Sequence, residues 1–220
     1  MNDVVIFGIG DFGRIAHRYL QADSAHRVVA FTVHKPYLVQ EELNGLPVIP
    51  FEDLAKNYPP DRAALLVAAG FSKVNEVRAT IFAECKQLGY ECITYKSSDA
   101  MIWDHVPIGE NSFVFEANVI QPGVSIGNNV VLWSGNHIGH DSTIEDHCFI
   151  ASHAVISGNC NIGHHCFVGV NATFRDGVTI APRCVIGAGA LIMKDTEEGD
   201  VYSTRGTKPH ELKSWELKGF

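Results

Sequence analysis

Residues 106–195 read, in consecutive sixes, VPIGEN, SFVFEA, NVIQPG, VSIGNN, VVLWSG, NHIGHD, STIEDH, CFIASH, AVISGN, CNIGHH, CFVGVN, ATFRDG, VTIAPR, CVIGAG, ALIMKD. That is 15 hexads in 90 residues with no insertion, and the third position is Ile, Val or Leu in all but one, Phe174. The first position is always Val, Ser, Asn, Cys or Ala. An amphipathic helix needs a period near 3.6 and an alternating strand a period of 2. A period of 6 fits a chain that turns a corner every six residues and stacks on itself as a parallel β-helix.

In such a prism the third-position aliphatic points inward and the small first-position residue fills the tighter space beside it. Coils stack at strand spacing, about 4.8 Å, and none buries its apolar face alone. With three hexads to a coil, 15 hexads predict five coils, with residues 18 apart in one column.

Working outward, the 220 residues are 46% hydrophobic and 19% charged, which describes a folded soluble chain. No run approaches a membrane span, and MNDVVIFG lacks a basic stretch followed by a cleavable apolar core. The reading is a cytoplasmic protein without membrane association. A net charge of −8 argues against nucleic acid as partner. Arg175, Arg183, Lys194, Arg205, Lys208, Lys213 and Lys218 nevertheless make the C-terminal end locally basic, suited to a phosphorylated ligand or simply to solvent. Cys148, Cys160, Cys166 and Cys184 fall on the inward first position, where thiols act as small hydrophobes and reach no substrate. Cys85 and Cys92 lack metal-like spacing.

Residues 1–97 alternate strand and helix: DVVIFG (3–8), a helix over about 12–21, RVVAFTV (27–33), a short helix over 51–58, AALLVAAG (63–70), a helix over 72–89 and a last strand, YECITYK (90–96). This predicts a small open parallel α/β sheet, Rossmann-like, with residues 98–220 forming the β-helix and a short tail. The segment SSDAMIWDHVP reads as the joint. Between the first strand and helix, Gly8, Gly10 and Gly13 match G-x-G-x-x-G, a turn that lets backbone approach a phosphate at a helix N-terminus, or serves only as a tight turn. The second strand ends in Thr32 and Val33 rather than an acid, which disfavours NAD and points to a smaller nucleotide or nucleotide-linked sugar.

Histidine is the candidate chemical residue of the repeat: His137, His140, His147, His153, His164 and His165. His147 and His165, 18 apart, share a column with Asn129 and Arg183 and read as a polar corner. His153, His164 and His165 have no carboxylate directly placed to activate them. His140, at an outward position and followed by Asp141, combines a general base with an acid able to orient it.

The hexads resemble the left-handed β-helix of the hexapeptide-repeat acyltransferases, and NHIGHDSTIED looks like their catalytic segment, with a similar His-Asp step in the acyltransferase that starts lipid A synthesis. The whole layout, an α/β domain and then the β-helix, is similar to the sialic acid O-acetyltransferase-like group, which includes bacterial N-acetyltransferases of nucleotide-linked 4-amino sugars. That resemblance implies His140 as general base and Asp141 behind it. It implies a nucleotide-sugar loop at Gly8, Gly10, Asp11 and Phe12 with Gly70, and an acyl-CoA groove at Phe149, Val170, Gly187 and Ala188. Asn136 is expected to meet substrate, and either a backbone N–H or a side chain such as Asn136 to hold the oxyanion. It further implies a homotrimer, acetyl-CoA or another acyl-CoA as co-substrate, and no bound cofactor or metal. The sequence departs from the family at Phe149, where a second histidine is usual, at Trp133, where an asparagine is usual, and at Thr32 and Val33.

The expected activity is N-acyl transfer to a nucleotide-linked amino sugar by direct attack on the thioester, in bacterial surface-glycan synthesis. A sugar O-acetyltransferase is the nearest alternative. A γ-carbonic-anhydrase-like zinc protein would need a Gly-His-x4-His step, whereas His140 is followed by His147, two residues too far. A non-catalytic nucleotide-sugar binder is the remaining alternative.

Overall fold

The computed structural model describes residues 3–217. Its N-terminal sheet runs β1 (Asp3–Phe7), β2 (Arg27–Val33), β3 (Glu42–Leu43), β4 (Leu46–Pro50) and β5 (Ala63–Val67), in the order β3-β4-β2-β1-β5. β1, β2, β4 and β5 are parallel, and β3 pairs antiparallel to β4. The β3–β4 hairpin is absent from the sequence reading, because two prolines in LPVIP mask the strand signal; as the last parallel strand toward that edge, β4 can tolerate them. Helices α1 (Asp11–Ala22), α2 (Leu54–Asn57) and α3 (Glu76–Gln87) complete the domain. Val5, Phe7, Leu65 and Val67 face α3 through Ile81 and Cys85, while Val4, Ile6, Ala64 and Leu66 face α1 through Ala16 and Leu20.

Two expected elements end differently. The helix expected over 72–89 starts at Glu76, because Lys73, Val74 and Asn75 take positive φ (51° to 66°) and form a left-handed turn. The strand expected over 90–96 is divided. Cys92 bridges to Leu65 of β5, whereas Tyr95–Lys96 already pairs with Phe113–Val114 of the solenoid. The β-helix therefore begins ahead of the expected boundary at residue 97. AMIWDH (100–105), read as part of a joint, is a hexad: Met101–Ile102 pairs with Val119–Ile120 and His105 makes the corner at φ 64°.

The solenoid has three parallel sheets. The first face stacks Tyr95–Lys96, Phe113–Val114, Val131–Leu132, Phe149–Ile150, Phe167–Val168, Val185–Ile186 and Val201–Tyr202. The second face runs from Met101–Ile102 to Leu191–Ile192, and the third from Ser125–Ile126 to Thr179–Ile180, extended by a bridge at Ile108. The register is 18 residues per coil, as in His137↔Val155 and Phe149↔Phe167. Every third-position residue from Val114 to Ile192 is at most 4% exposed, and the four first-position cysteines are buried free thiols.

From Asn111 to Gly189, every sixth residue has φ between 55° and 77°. This sixth position is the corner of the prism. Glycine and asparagine occupy it comfortably, whereas Asp141, His147, His153, His165 and Arg183 also stand there at some conformational cost, because a side chain is disfavoured in the left-handed region.

The α/β domain sits on the first face, its α1 side meeting Phe113, Phe115, Val131 and Phe149. The dock is polar where backbone ends must be satisfied. Asn111 accepts from Val67 N–H (2.7 Å) and donates to Val67 O (3.2 Å), finishing β5 as another strand would. Arg78, fully buried with no acid beside it, donates to the carbonyls of Gly70, Asn129, His147 and Cys148 and to Asn75 Oδ1. Asn75 in turn donates to the carbonyls of His165 and Cys166. One residue pair thus grips three successive coils. Burial pulls the Arg78 guanidinium down to about 10, still charged at neutral pH.

Candidate active site

The cavity nearest the glycine turn holds about 440 Å³ and is lined by Gly8, Gly10, Asp11, Phe12, Ala68, Ala69, Gly70, Phe71, Trp133 and Phe149. It lies where the turns after β1 and β5 diverge above the first face, the crevice where open α/β sheets receive ligands. The three motif glycines have different reasons to be there. A Cβ on Gly8 would sit 2.6 Å from Ala68 O, and one on Gly13 would sit 2.0 Å from Gly8 O, so both are dictated by packing. A Cβ on Gly10 or on Gly70 would meet no protein atom within 4 Å. Their smoothness faces the cavity, and Gly70 is fixed there by its bond to Arg78.

Gly10 caps α1 without a side-chain bond, so the first helix N–H groups have no side-chain cap beside the cavity that Gly10, Asp11 and Phe12 line. Asp11 beside it is held by Arg14, which also donates to Ile9 O. Among the described residues no Lys or Arg lines the cavity, and its walls are Phe12, Phe71, Trp133 and Phe149. Phe12 packs on Phe113 (5.6 Å between centroids), Phe115 and Trp133, anchoring the turn to the solenoid. Phe149 stands with Trp133 and Phe71 in this cavity, while Val170 and Ala188, named with it for the acyl-CoA groove, lie on the corner that follows the first face.

His140 and Asp141 occupy the corner between the second and third faces. His140 Nδ1 lies 2.9 Å from Asp141 Oδ2, and both side chains are more than half exposed. With Nδ1–H donating to the Asp141 carboxylate, Nε2 keeps its lone pair for a substrate proton. The backbone is pinned by Gln121 Oε1, which accepts from His140 N–H at 2.9 Å. The ring lies over Gly158, where a Cβ would come within 2.5 Å of Nε2. Gly158 was missed from sequence; its signal is its place 18 residues after His140, one coil on.

Asn136 is corrected. It is 1% exposed at an inward first position, donating to Trp133 O and accepting from Ala154 N–H, so it cannot reach an oxyanion. Asn118, one coil earlier, likewise donates inward to Phe115 O and Trp133 O. Val170 and Ala188 are exposed neighbours 18 apart on the corner between the first and second faces. Gly187 is covered: a Cβ there would sit 2.7 Å from Tyr202 O, so its smallness serves the last strand.

The polar corner at Asn129, His147, His165 and Arg183 forms as expected. Asn129 Nδ2 meets His147 Nδ1 at 2.9 Å and the two imidazoles lie 4.6 Å apart. Burial, then the neighbouring His147 and Arg183, pull His165 down to about 4. Burial pushes the thiols of Cys148, Cys160 and Cys184 up. In the tail, Thr204 donates to Ala188 O at 2.6 Å and Arg205, Lys208 and Lys213 are exposed, while Lys218 lies outside the described residues. Among the described residues no three of His, Cys, Asp and Glu converge on a metal-sized site, and no helix is long and apolar enough to cross a membrane.

Together these features define a class: an α/β domain with a crevice at its glycine turn, docked on a hexapeptide β-helix that presents a His-Asp pair. Residues 123–158 and 159–194 match the family model for bacterial transferase hexapeptide (six repeats). Among solved structures, the acetyltransferase domain of PglB from Neisseria gonorrhoeae is 25% identical with a TM-score of 0.80, covering 91% of this chain and 96% of its own. PerB from Caulobacter crescentus, solved with CoA and GDP-perosamine, is 22% identical with a TM-score of 0.81, covering 91% and 93%. WeeI from Acinetobacter baumannii is 21% identical with a TM-score of 0.57, covering 87% and 96%. No curated protein matches the chain. Residues 123–194 thus carry the hexapeptide repeats of that family model, and the chain closely resembles these proteins in structure.

Proposed function

We propose that the protein is an acyl-CoA-dependent N-acyltransferase, most simply an N-acetyltransferase, acting on the amine of a nucleotide-linked amino-deoxy sugar. The observation that carries this reading is the exposed His140–Asp141 pair, with a free Nε2, on a chain that also forms an aromatic-walled crevice at its glycine turn. The resemblance to PerB, solved with CoA and GDP-perosamine, and to the PglB acetyltransferase domain supports it. The aromatic walls suit a sugar or base ring, and the N–H groups at the start of α1 suit a phosphate.

In the proposed reaction the sugar amine attacks the thioester carbonyl while His140 Nε2 takes its proton. Asp141 orients the ring and stabilises the imidazolium. The tetrahedral intermediate collapses, the C–S bond breaks, and CoA leaves as a thiolate that recovers the proton. The buried thiols leave no cysteine nucleophile, so transfer is direct.

His140 and the crevice lie on different corners, with the second face between them, on the order of 15–20 Å across a hexad at strand rise. That face carries the exposed apolar residues Met101, Val155 and Leu191, with Trp103, Val170 and Met193 along its edges. We therefore expect a homotrimer in which the crevice of one copy meets His140 of the next, with acyl-CoA between them along Val170 and Ala188.

The test is CoA release from acetyl-CoA with a panel of nucleotide-linked amino sugars and their hydroxyl counterparts. Turnover restricted to amino sugars supports the reading. Turnover restricted to hydroxyl sugars would replace it with O-acetyl transfer, and none with either would remove it.

A further inference from the structure

With Asn136 turned into the core, the proposed reaction has a base but no side chain yet assigned to the oxyanion. The corner between the first and second faces holds one exposed titratable side chain in the coils between the crevice and the column of Val170 and Ala188. That residue is His153.

Its backbone N–H donates to Ser134 O at 3.1 Å, which places it directly below the Trp133–Ser134–Gly135 corner. Trp133 lines the crevice, and Val170 stands on the same corner one coil further on. His153 is therefore midway between the expected seat of the sugar and that of the thioester. It belongs to the same hexad as Phe149, another crevice wall.

The ring is admitted by its neighbour. Gly135 (φ 77°) has no Cβ, and one built there would fall 2.6 Å from His153 Nδ1 and Cε1. His153 itself takes φ 61°, a corner where glycine or asparagine would be at ease. Its ring makes no side-chain hydrogen bond among the described residues. The corner histidines His147 and His165 have packing to explain them: their rings lie tilted against each other, 4.6 Å apart, and bond within the dock to α3. A strained, exposed, unpartnered imidazole has no such structural employment.

We propose that His153 is a second catalytic residue, donating a ring N–H to the thioester carbonyl oxygen as it becomes the oxyanion, opposite His140 of a neighbouring copy. This rests on the acyl-transfer reading above. As the amine nitrogen bonds to the carbonyl carbon, the C=O π pair moves to oxygen and is held by His153. Its return to carbonyl expels the thiolate, and His153 exchanges no proton overall.

The experiment compares wild type, His153→Gly and His153→Asn in steady-state CoA release, varying acetyl-CoA and the best nucleotide-linked amino sugar. Glycine removes the ring and suits the backbone, so folding is preserved; asparagine suits it too and keeps an N–H donor. The expected result is a fall in kcat of about 10²- to 10³-fold for His153→Gly, the usual loss for one oxyanion donor, with KM for acetyl-CoA changed less than about twofold. His153→Asn recovers at least about tenfold of that loss. A His153→Gly kcat within about threefold of wild type overturns the inference and leaves the acyl-transfer reading standing, as does a rise in KM with kcat unchanged. Wild-type protein without turnover removes the acyl-transfer reading itself, and this inference with it.

Discussion

His140 Nε2 reaches to within 2.5 Å of the point where a Cβ on Gly158 would stand, one coil further along the solenoid. The orientation of the base is therefore set by the absence of a side chain 18 residues away. Replacing Gly158 with alanine is expected to displace the imidazole and lower kcat at least tenfold while the melting temperature shifts by only a few degrees. Gly158 is outside the positive-φ set, so alanine suits the backbone there. Unchanged kcat in a folded Gly158→Ala protein would show that the ring position does not matter.

The pair itself gives a graded expectation. His140→Ala removes the base and should reduce kcat by about 10²- to 10⁴-fold. Asp141→Asn keeps the left-handed corner and a polar contact but loses the negative charge behind the imidazolium. It should cost about one order of magnitude, less than in an enclosed triad because both groups are solvated. Equal losses in the two variants, measured at saturating substrate, would contradict this division of roles.

The glycines of the crevice separate packing from binding. Gly13→Ala forces a Cβ to 2.0 Å from Gly8 O and should lower stability markedly, read by thermal melting. Gly10→Ala meets nothing in the protein and should melt near wild type, yet raise KM for the nucleotide sugar. A Gly10→Ala protein with wild-type KM would remove that glycine from the site.

Much of this was legible in the sequence, and the reasons are local. The hexad period is a direct consequence of inward Ile, Val and Leu, so Val114 to Ile192 reveal the prism without any long-range information. His140 stood out because Asp141 follows it in the chain. Asn136 misled because its residue type suits an oxyanion donor, while its register, an inward first position, already excluded that use. Arg78 was illegible: its partners are carbonyls at 129, 147 and 148, brought to it only by domain docking. Phe149 was assigned by resemblance to the acyl groove, and only the docking of Phe71 and the Gly8–Phe12 turn reveals it as a crevice wall.

That docking makes Arg78 a stability determinant. Arg78→Ala removes the side-chain donor of the Gly70, Asn129, His147 and Cys148 carbonyls, of which Cys148 O keeps Val131 N–H, and should cost about 3 kcal/mol or more in denaturant unfolding. Arg78→Lys should recover little, since one ammonium cannot span acceptors on two coils. A loss below about 1 kcal/mol would show that the two domains hold together without it.

The histidine corner sets a pH dependence. His165 is held at about 4 by burial, below its unfolded value near 6.5, and burial lowers His147 as well. The unfolded chain thus binds more protons between about pH 6.5 and 4, and stability falls as pH drops through that window while staying level above it. The His147→Asn/His165→Asn double variant, with asparagine suited to both corners, should show a smaller stability difference between pH 7.5 and pH 5. An identical difference in variant and wild type would exclude these residues as its source.

The central claim is that the nucleotide-sugar crevice of one copy works with His140 of another, and co-expression of two disabled chains tests it most directly. His140→Ala chains keep the crevice, and Gly10→Trp chains keep the base but fill the open space above Gly10. Each alone should be inactive in acetyl-CoA turnover with the amino-sugar acceptor. Mixed assemblies should regain a substantial part of wild-type activity, because some sites pair an intact crevice with an intact base. Mixed assemblies as inactive as their parents would place crevice and base in the same chain and contradict the account.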